Sequence, residues 1–185
     1  MKHLYLILVV LSLAACGSTS GIKTAEGEKS DLDLSSYENV VVQNFTDGTK
    51  KSNLPDFMGN DFADMIAANI KEQGVFSQVS RDSLDGKSIV ISGAITKYKE
   101  GSAPLKLLIG FGAGSSHFDA DVKISDSETN TELGKVIVDK KSWALGGIMA
   151  ATQTVKGFMS GAAKKIAKEV AEAKKAPGDE IAKSE

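Results

Sequence analysis

Phe118-Asp-Ala-Asp-Val-Lys-Ile-Ser125 alternates cleanly: Phe118, Ala120, Val122 and Ile124 are apolar, and the residues between them are polar. Successive side chains of a β-strand point to opposite faces, so a period of two predicts a strand with one face buried and one in water. Strands patterned this way belong to antiparallel sheets covered on one side. Polar residues 126–130 follow as a hairpin turn, and residues 133–140 are expected to return as the partner strand. Upstream, Ser88-Ile-Val-Ile-Ser-Gly-Ala-Ile-Thr-Lys-Tyr98 is a long strand with Ile89, Ile91 and Ile95 on one face. These three strands predict an antiparallel meander.

Further toward the N-terminus, Val40-Val-Val-Gln-Asn-Phe45 is a β-branched strand closed by the turn-forming Thr46-Asp-Gly48. From Pro55 to Gln73 the period becomes helical: Met58, Phe62, Met65, Ile66 and Ile70 fall on one stripe at spacings of three and four. Asn53 or Asp56 is expected to cap this helix, with Gly74 at its C-terminal end. Val75-Phe-Ser-Gln-Val79 is a short strand. A second helix is predicted over residues 148–174, with the stripe Val155, Phe158, Met159, Ala162, Ile166, Val170. The fold class is therefore α+β: a mixed, largely antiparallel sheet of about five strands with two helices packed on one face.

The N-terminal end carries an address. Lys2 and His3 precede an apolar run, Leu4-Tyr-Leu-Ile-Leu-Val-Val-Leu-Ser-Leu13, which suits a secretory signal and is too short for a membrane-spanning helix. The run ends in Leu13-Ala-Ala-Cys16, which resembles the lipobox of bacterial lipoproteins. The resemblance implies cleavage between Ala15 and Cys16, a diacylglycerol thioether on Cys16, and acylation of the new amine by a chain such as palmitate. Several acyl chains anchor far more durably than one. Gly17 stands where, in enteric-type lipoproteins, aspartate would favour inner-membrane retention, so the expected location is the outer membrane, with the domain facing the periplasm. Residues 1–15 are thus read as signal peptide, 16–36 as a flexible tether rich in Gly, Ser, Thr, Lys and Glu, 37–175 as a single domain, and 176–185 as a disordered tail.

Composition narrows the function classes. The 185 residues carry a net charge of −2, which becomes −3 when Lys2 leaves with the leader, so no basic field invites nucleic acid. The single cysteine excludes an internal disulfide and a multi-cysteine metal site. Gly110-Phe-Gly-Ala-Gly114 invites comparison with nucleotide loops, but its third glycine is one position early and a strand follows where a dinucleotide site needs a helix. No Gly-Lys-Ser/Thr closes it as a P-loop. Gly110, Phe111, Gly112 and Gly114 are instead a candidate partner or ligand loop, with Leu105, Leu107, Leu108, Ile109 and Phe111 as an apolar patch. Asp119, Asp121, Asp126 and Glu128 lack the twelve-residue loop of a calcium hand and are expected as a solvated strand face. His117, the only histidine after the leader, has no accompanying nucleophile motif and is expected at the surface. Trp143 is expected over the sheet edge. No cofactor, metal site or catalytic set is expected.

Ser92-Gly-Ala-Ile-Thr-Lys-Tyr98, Ile109-Gly-Phe-Gly-Ala-Gly114 and the alternating strand with Asp126 and Gly134 together resemble the bacterial lipoproteins of domain-of-unknown-function family 4410. The likeness spans about residues 38–172. An arginine often found just before the glycine run is absent here, with Lys106 the nearest cation. More distantly, residues 40–79 are similar to the α/β module of the TolB N-terminal domain and the curli-secretion lipoprotein. Such modules bind partners or assemble. The resemblance implies a non-catalytic, lipid-anchored envelope module with an envelope protein partner and a possible homo-oligomer. The rival expectations are an oligomeric secretion or pore-associated component, and a hydrolase using His117.

Overall fold

The computed structural model describes residues 17–23, 32–51, 53–102, 104–105, 114–142 and 152–175. The elements run β1 (Gly17–Thr19), β2 (Asn39–Val42), β3 (Thr46–Asp47), α1 (Met58–Gln73), β4 (Gln78–Ser80), β5 (Ser88–Lys99), β6 (His117–Asp126), β7 (Glu132–Lys141) and α2 (Val155–Lys174). One mixed sheet has the order β1-β7-β6-β5-β2-β4, with β3 also on β5. β5, β6, β7 and β1 pair antiparallel. β2 lies parallel to both β4 and β5, so β2, α1 and β4 form a crossover unit.

The alternation at residues 118–125 does what its period requires. Phe118, Ala120, Val122 and Ile124 are buried on one face, and they join Ile89, Ile91, Ile95, Val136 and Val138 from the neighbouring strands. Both helices cover that face. Phe62 of α1 sits between Phe45, with centroids 4.8 Å apart, and Phe118, 5.0 Å away at 76°, an edge-to-face packing that suits the ring quadrupoles. α2 buries Val155, Met159, Ala162, Ala163, Ile166 and Val170, and its small residues let α1 and the sheet approach closely. Thr154 caps α2 by accepting from the Gly157 amide at 3.1 Å. Among the described residues no helix is long and apolar enough to cross a membrane.

Four local expectations need correction. The sheet has seven strands where about five were expected, because β1 and β3 are only three and two residues long, too short to show a period. Neither Asn53 nor Asp56 caps α1. The residue before the helix is Phe57, which makes no side-chain cap, and the entry is instead a turn in which the Met58 amide donates to the Pro55 carbonyl at 2.9 Å. The strand expected over residues 75–79 is displaced to Gln78–Ser80. Finally, residues 17–23, expected as part of a tether, are held on the sheet. Gly17, Ser18 and Thr19 pair with Lys140, Asp139 and Val138. Lys23 and Lys135 exchange backbone hydrogen bonds of 2.9 and 2.8 Å. Ile22 is buried, and its amide reaches the Glu169 carboxylate of α2. At Gly134 a Cβ would come 2.7 Å from Ile22 Cγ2, so only glycine lets this segment cross β7 so closely.

Candidate functional site

Of the residues singled out in the sequence, Gly114, His117 and Asp119 lie toward one end of the sheet and Asp126 and Glu128 at the other. Ala15, Cys16, Gly110, Phe111, Gly112 and Trp143 lie outside the described residues. Their described neighbours, Gly17 and Gly114, fix where those segments attach. Gly114 is the base of the glycine loop: its φ is +67°, and its carbonyl accepts from the Ser102 amide at 2.9 Å. A Cβ there would come 2.7 Å from the Ser102 carbonyl and 2.8 Å from Leu105 Cβ. This glycine therefore closes the loop, a structural task independent of any ligand.

The loop leaves from the end of β5 and returns at the start of β6, where Lys99, His117 and Lys141 share the terminal row of the register. Two register rows deeper, Lys97, Asp119 and Asp139 lie side by side, with Lys97 Nζ 3.8 Å from Asp119. Burial pushes the Asp119 carboxyl up, and the like charge of Asp139 directly opposite adds to this. Burial lowers the His117 pKa below its ordinary value, with the positive fields of Lys97 and Lys99 acting in the same direction. His117 Nδ1 and Asp119 Oδ1 are both buried without a hydrogen-bond partner. His117 is thus a half-buried residue held neutral, not the plain surface histidine expected. Among the described residues no three His, Cys, Asp or Glu side chains converge as metal ligands.

At the opposite end, Asp126 organises the hairpin. Its Oδ1 accepts from the Glu128 and Thr129 amides, both at 2.8 Å, and its Oδ2 accepts from Tyr37 Oη at 2.7 Å. The Thr129 amide first, then the Tyr37 hydroxyl, hold the carboxyl down at about 2. Burial, reinforced by Asp126, pushes the Tyr37 phenol up to about 12. Asp126 was expected on a solvated face; it is buried and does the work of a turn staple. The Tyr37 link spans 89 positions and left no local trace in the sequence.

Surface clefts occur among the described residues. One, of about 400 Å³, runs between α1 and α2 and is lined by Glu72, Lys164, Lys168 and Glu172. Another, of about 500 Å³, lies on the open sheet face beside Arg81, Ser92, Lys123 and Ser125. Arg81 is already committed: its Nε pairs with Asp64 at 2.8 Å, and its terminal nitrogens donate to the Val42 carbonyl, Asn44 and Asn60. With those donors consumed, it fastens β4 to β2 and α1 and offers little to an anion.

Taken as a class, this is a two-layer α+β domain whose sheet carries both helices on one face. The chain belongs to the family described as the domain of unknown function DUF4410, whose sequence model matches residues 28–146. The match takes in the glycine loop and the meander and stops before α2. No curated protein matches the chain. Among solved structures it is similar to the PelC dodecamer from Paraburkholderia phytofirmans, at 13% identity and a TM-score of 0.53, over 85% of this chain and 97% of that one. A PelC point-variant dodecamer from the same organism gives 11% identity, a TM-score of 0.54, and 85% and 98% coverage. A Xanthomonas campestris protein of family DUF330 follows at 9% identity, a TM-score of 0.46, and 81% and 91% coverage. At these identities the PelC likeness speaks for the fold alone.

Proposed function

We propose that the protein is a lipid-anchored envelope module: Cys16 carries the lipid, the domain faces the periplasm from the outer membrane, and it works by binding or assembly, without catalysis. The observation that carries this reading is the lipobox-like Leu13-Ala-Ala-Cys16 ending directly at β1. In this reading a leader of secretory character, a cysteine in the lipobox position and a folded domain follow one another along the chain. Buried Asp126 and partly buried Arg81 support a non-catalytic role, because both are engaged in holding strands and turns together. The palmitate-type acylation, the envelope partner and the signal peptide over residues 1–15 belong to the same reading.

Envelope fractionation of wild type and Cys16→Ser tests it. Wild type should fractionate with outer membranes and the variant with the soluble periplasm. Recovery of wild type in the soluble fraction would overturn the anchor. A second reading, assembly of several copies, draws on the dodecameric state of the two PelC structures. Sedimentation in mild detergent distinguishes the two: a single ring-sized species favours the assembly, and a monomer at high concentration removes it.

A further inference from the structure

The end of the sheet from which the chain runs back to Cys16 is also the end that gathers exposed lysines and exposed large apolar side chains. We infer that this end is seated on an anionic phospholipid surface, so that the domain is held in one orientation and does not swing on a tether. This inference rests on the lipid-anchor reading and goes beyond it by naming the face and the occupant.

The first support is chain length. Gly17 is paired opposite Lys140 on β7, and Ser20 and Lys23 are bonded to Ile137 and Lys135. Cys16 is therefore one residue from a fixed strand, a reach of about 3.5 Å. A lipid on that residue cannot leave the sheet end far from the headgroups.

The second support is what that end presents. Lys99 and Lys141 occupy the terminal row, one row beyond the Gly17–Lys140 pair, with Lys97 two rows behind them, 55% exposed at its side chain. α2 also begins here, because Ser116 Oγ, one residue before β6, donates to the Gln153 carbonyl; its first turn contains exposed Lys156 and no acidic residue. The acidic groups described nearby are Asp119 and Asp139 in the deeper row, Glu100, which accepts from Tyr98 Oη at 2.8 Å, and, around the start of α1, Asp47, Asp56 and Asp61. Among the described residues only Phe57, Leu105 and Ile137 are large, apolar and exposed. Leu105 stands against Gly114 after β5. Phe57 precedes α1, whose first turn lies against Phe45 just before β3, and β3 pairs with the upper half of β5. Two of the three apolar groups thus accompany the lysines and the exit toward Cys16. The far end is mixed in charge, with Asp82, Asp85, Glu128 and Glu132 beside Lys71, Lys87 and Lys175, and its Lys174 is paired with Glu38 at 3.2 Å. Lysine heads with apolar neighbours fit the headgroup boundary, where anionic lipid attracts nearby cations.

The test uses the full-length, natively processed protein in vesicles of phosphatidylglycerol or of phosphatidylcholine, labelled with a membrane-impermeant amine reagent and read residue by residue. Lys97, Lys99, Lys141 and Lys156 should label roughly fivefold more slowly on phosphatidylglycerol. Lys71, Lys164 and Lys168 should label equally on both. Lys99→Glu with Lys141→Glu should abolish the protection, while Lys164→Glu with Lys168→Glu should leave it intact. The mass of the N-terminal peptide, taken from the same sample, reads the anchor separately. An acylated chain whose Lys99 and Lys141 label equally on both lipids would overturn the seated orientation alone. An unacylated chain would overturn the anchor itself.

Discussion

Replacing Gly134 by alanine probes the contact that decides whether this domain has a tether at all. The added Cβ would lie 2.7 Å from Ile22 Cγ2 and 3.2 Å from the Lys23 carbonyl oxygen, whereas carbon atoms pack best at about 3.5–4.0 Å. Relief requires residues 17–23 to shift, because β7 is held on its other edge by nine register pairs with β6. Overpacking of this kind costs about 1–3 kcal/mol. That penalty falls on the opening of the edge segment and raises its opened population roughly 5- to 150-fold. Amide hydrogen exchange reads this directly. Ser20, Lys23, Lys135 and Ile137 should exchange faster, while Ile91 and Ile124 in the middle of the sheet should change little. Adding Ile22→Ala removes the clashing methyl, so the double variant should be less destabilised than the sum of the two single ones. Unchanged exchange at Ser20 and Lys23 in Gly134→Ala would refute the account of the pinned segment.

Other consequences follow from the core and the titrating groups. Phe62→Ala should cost about 3–5 kcal/mol in urea unfolding, since the ring is fully buried between Phe45 and Phe118; Phe62→Leu should cost far less. Tyr37→Phe should cost about 1–2 kcal/mol at neutral pH by taking a donor from Asp126. Asp126 titrates at about 2, below its ordinary 3.8, so its stabilisation is present above 3.8 and fades as pH falls through 2. Acid unfolding of Tyr37→Phe should therefore begin at higher pH than in wild type. His117 titrates below its ordinary 6.5, so below that pH the unfolded chain takes up a proton that the folded one resists. Stability should fall as pH drops from 7.5 to 5, and His117→Gln should flatten that slope; parallel urea midpoints for both proteins would contradict it.

What the sequence disclosed is what repeats along it. The period of two at residues 118–125 and the stripe through Phe62, Ile66 and Ile70 are local signals, and both elements form where those signals lie. Gly74 ends α1 with φ at +66°, as its position implied. The features that escaped are long-range or very short. Tyr37 meets Asp126 across 89 positions, and Arg81 reaches back to Val42 and Asn44. β1 is Gly-Ser-Thr, whose composition suggests a linker; it becomes a strand because β7 offers an open edge, and Gly134 leaves room for Ile22 and Lys23 just after it. The same fact bears on the lipobox-like stretch, since a folded strand follows Cys16 without slack. The candidate site was legible only at its borders. Gly114 and His117 could be picked out by residue type, but the row of Lys99, His117 and Lys141 exists only once the register is known.

The central claim is that Cys16 is the first residue of the mature chain and carries the lipid. Intact mass and fragmentation of the N-terminal peptide, from protein purified out of envelope membranes, test it most directly. The account predicts a peptide beginning at Cys16, with a diacylglyceryl group on its sulfur and an acyl chain on its amine. A peptide with a free Cys16 thiol, or one beginning at another residue, would contradict it.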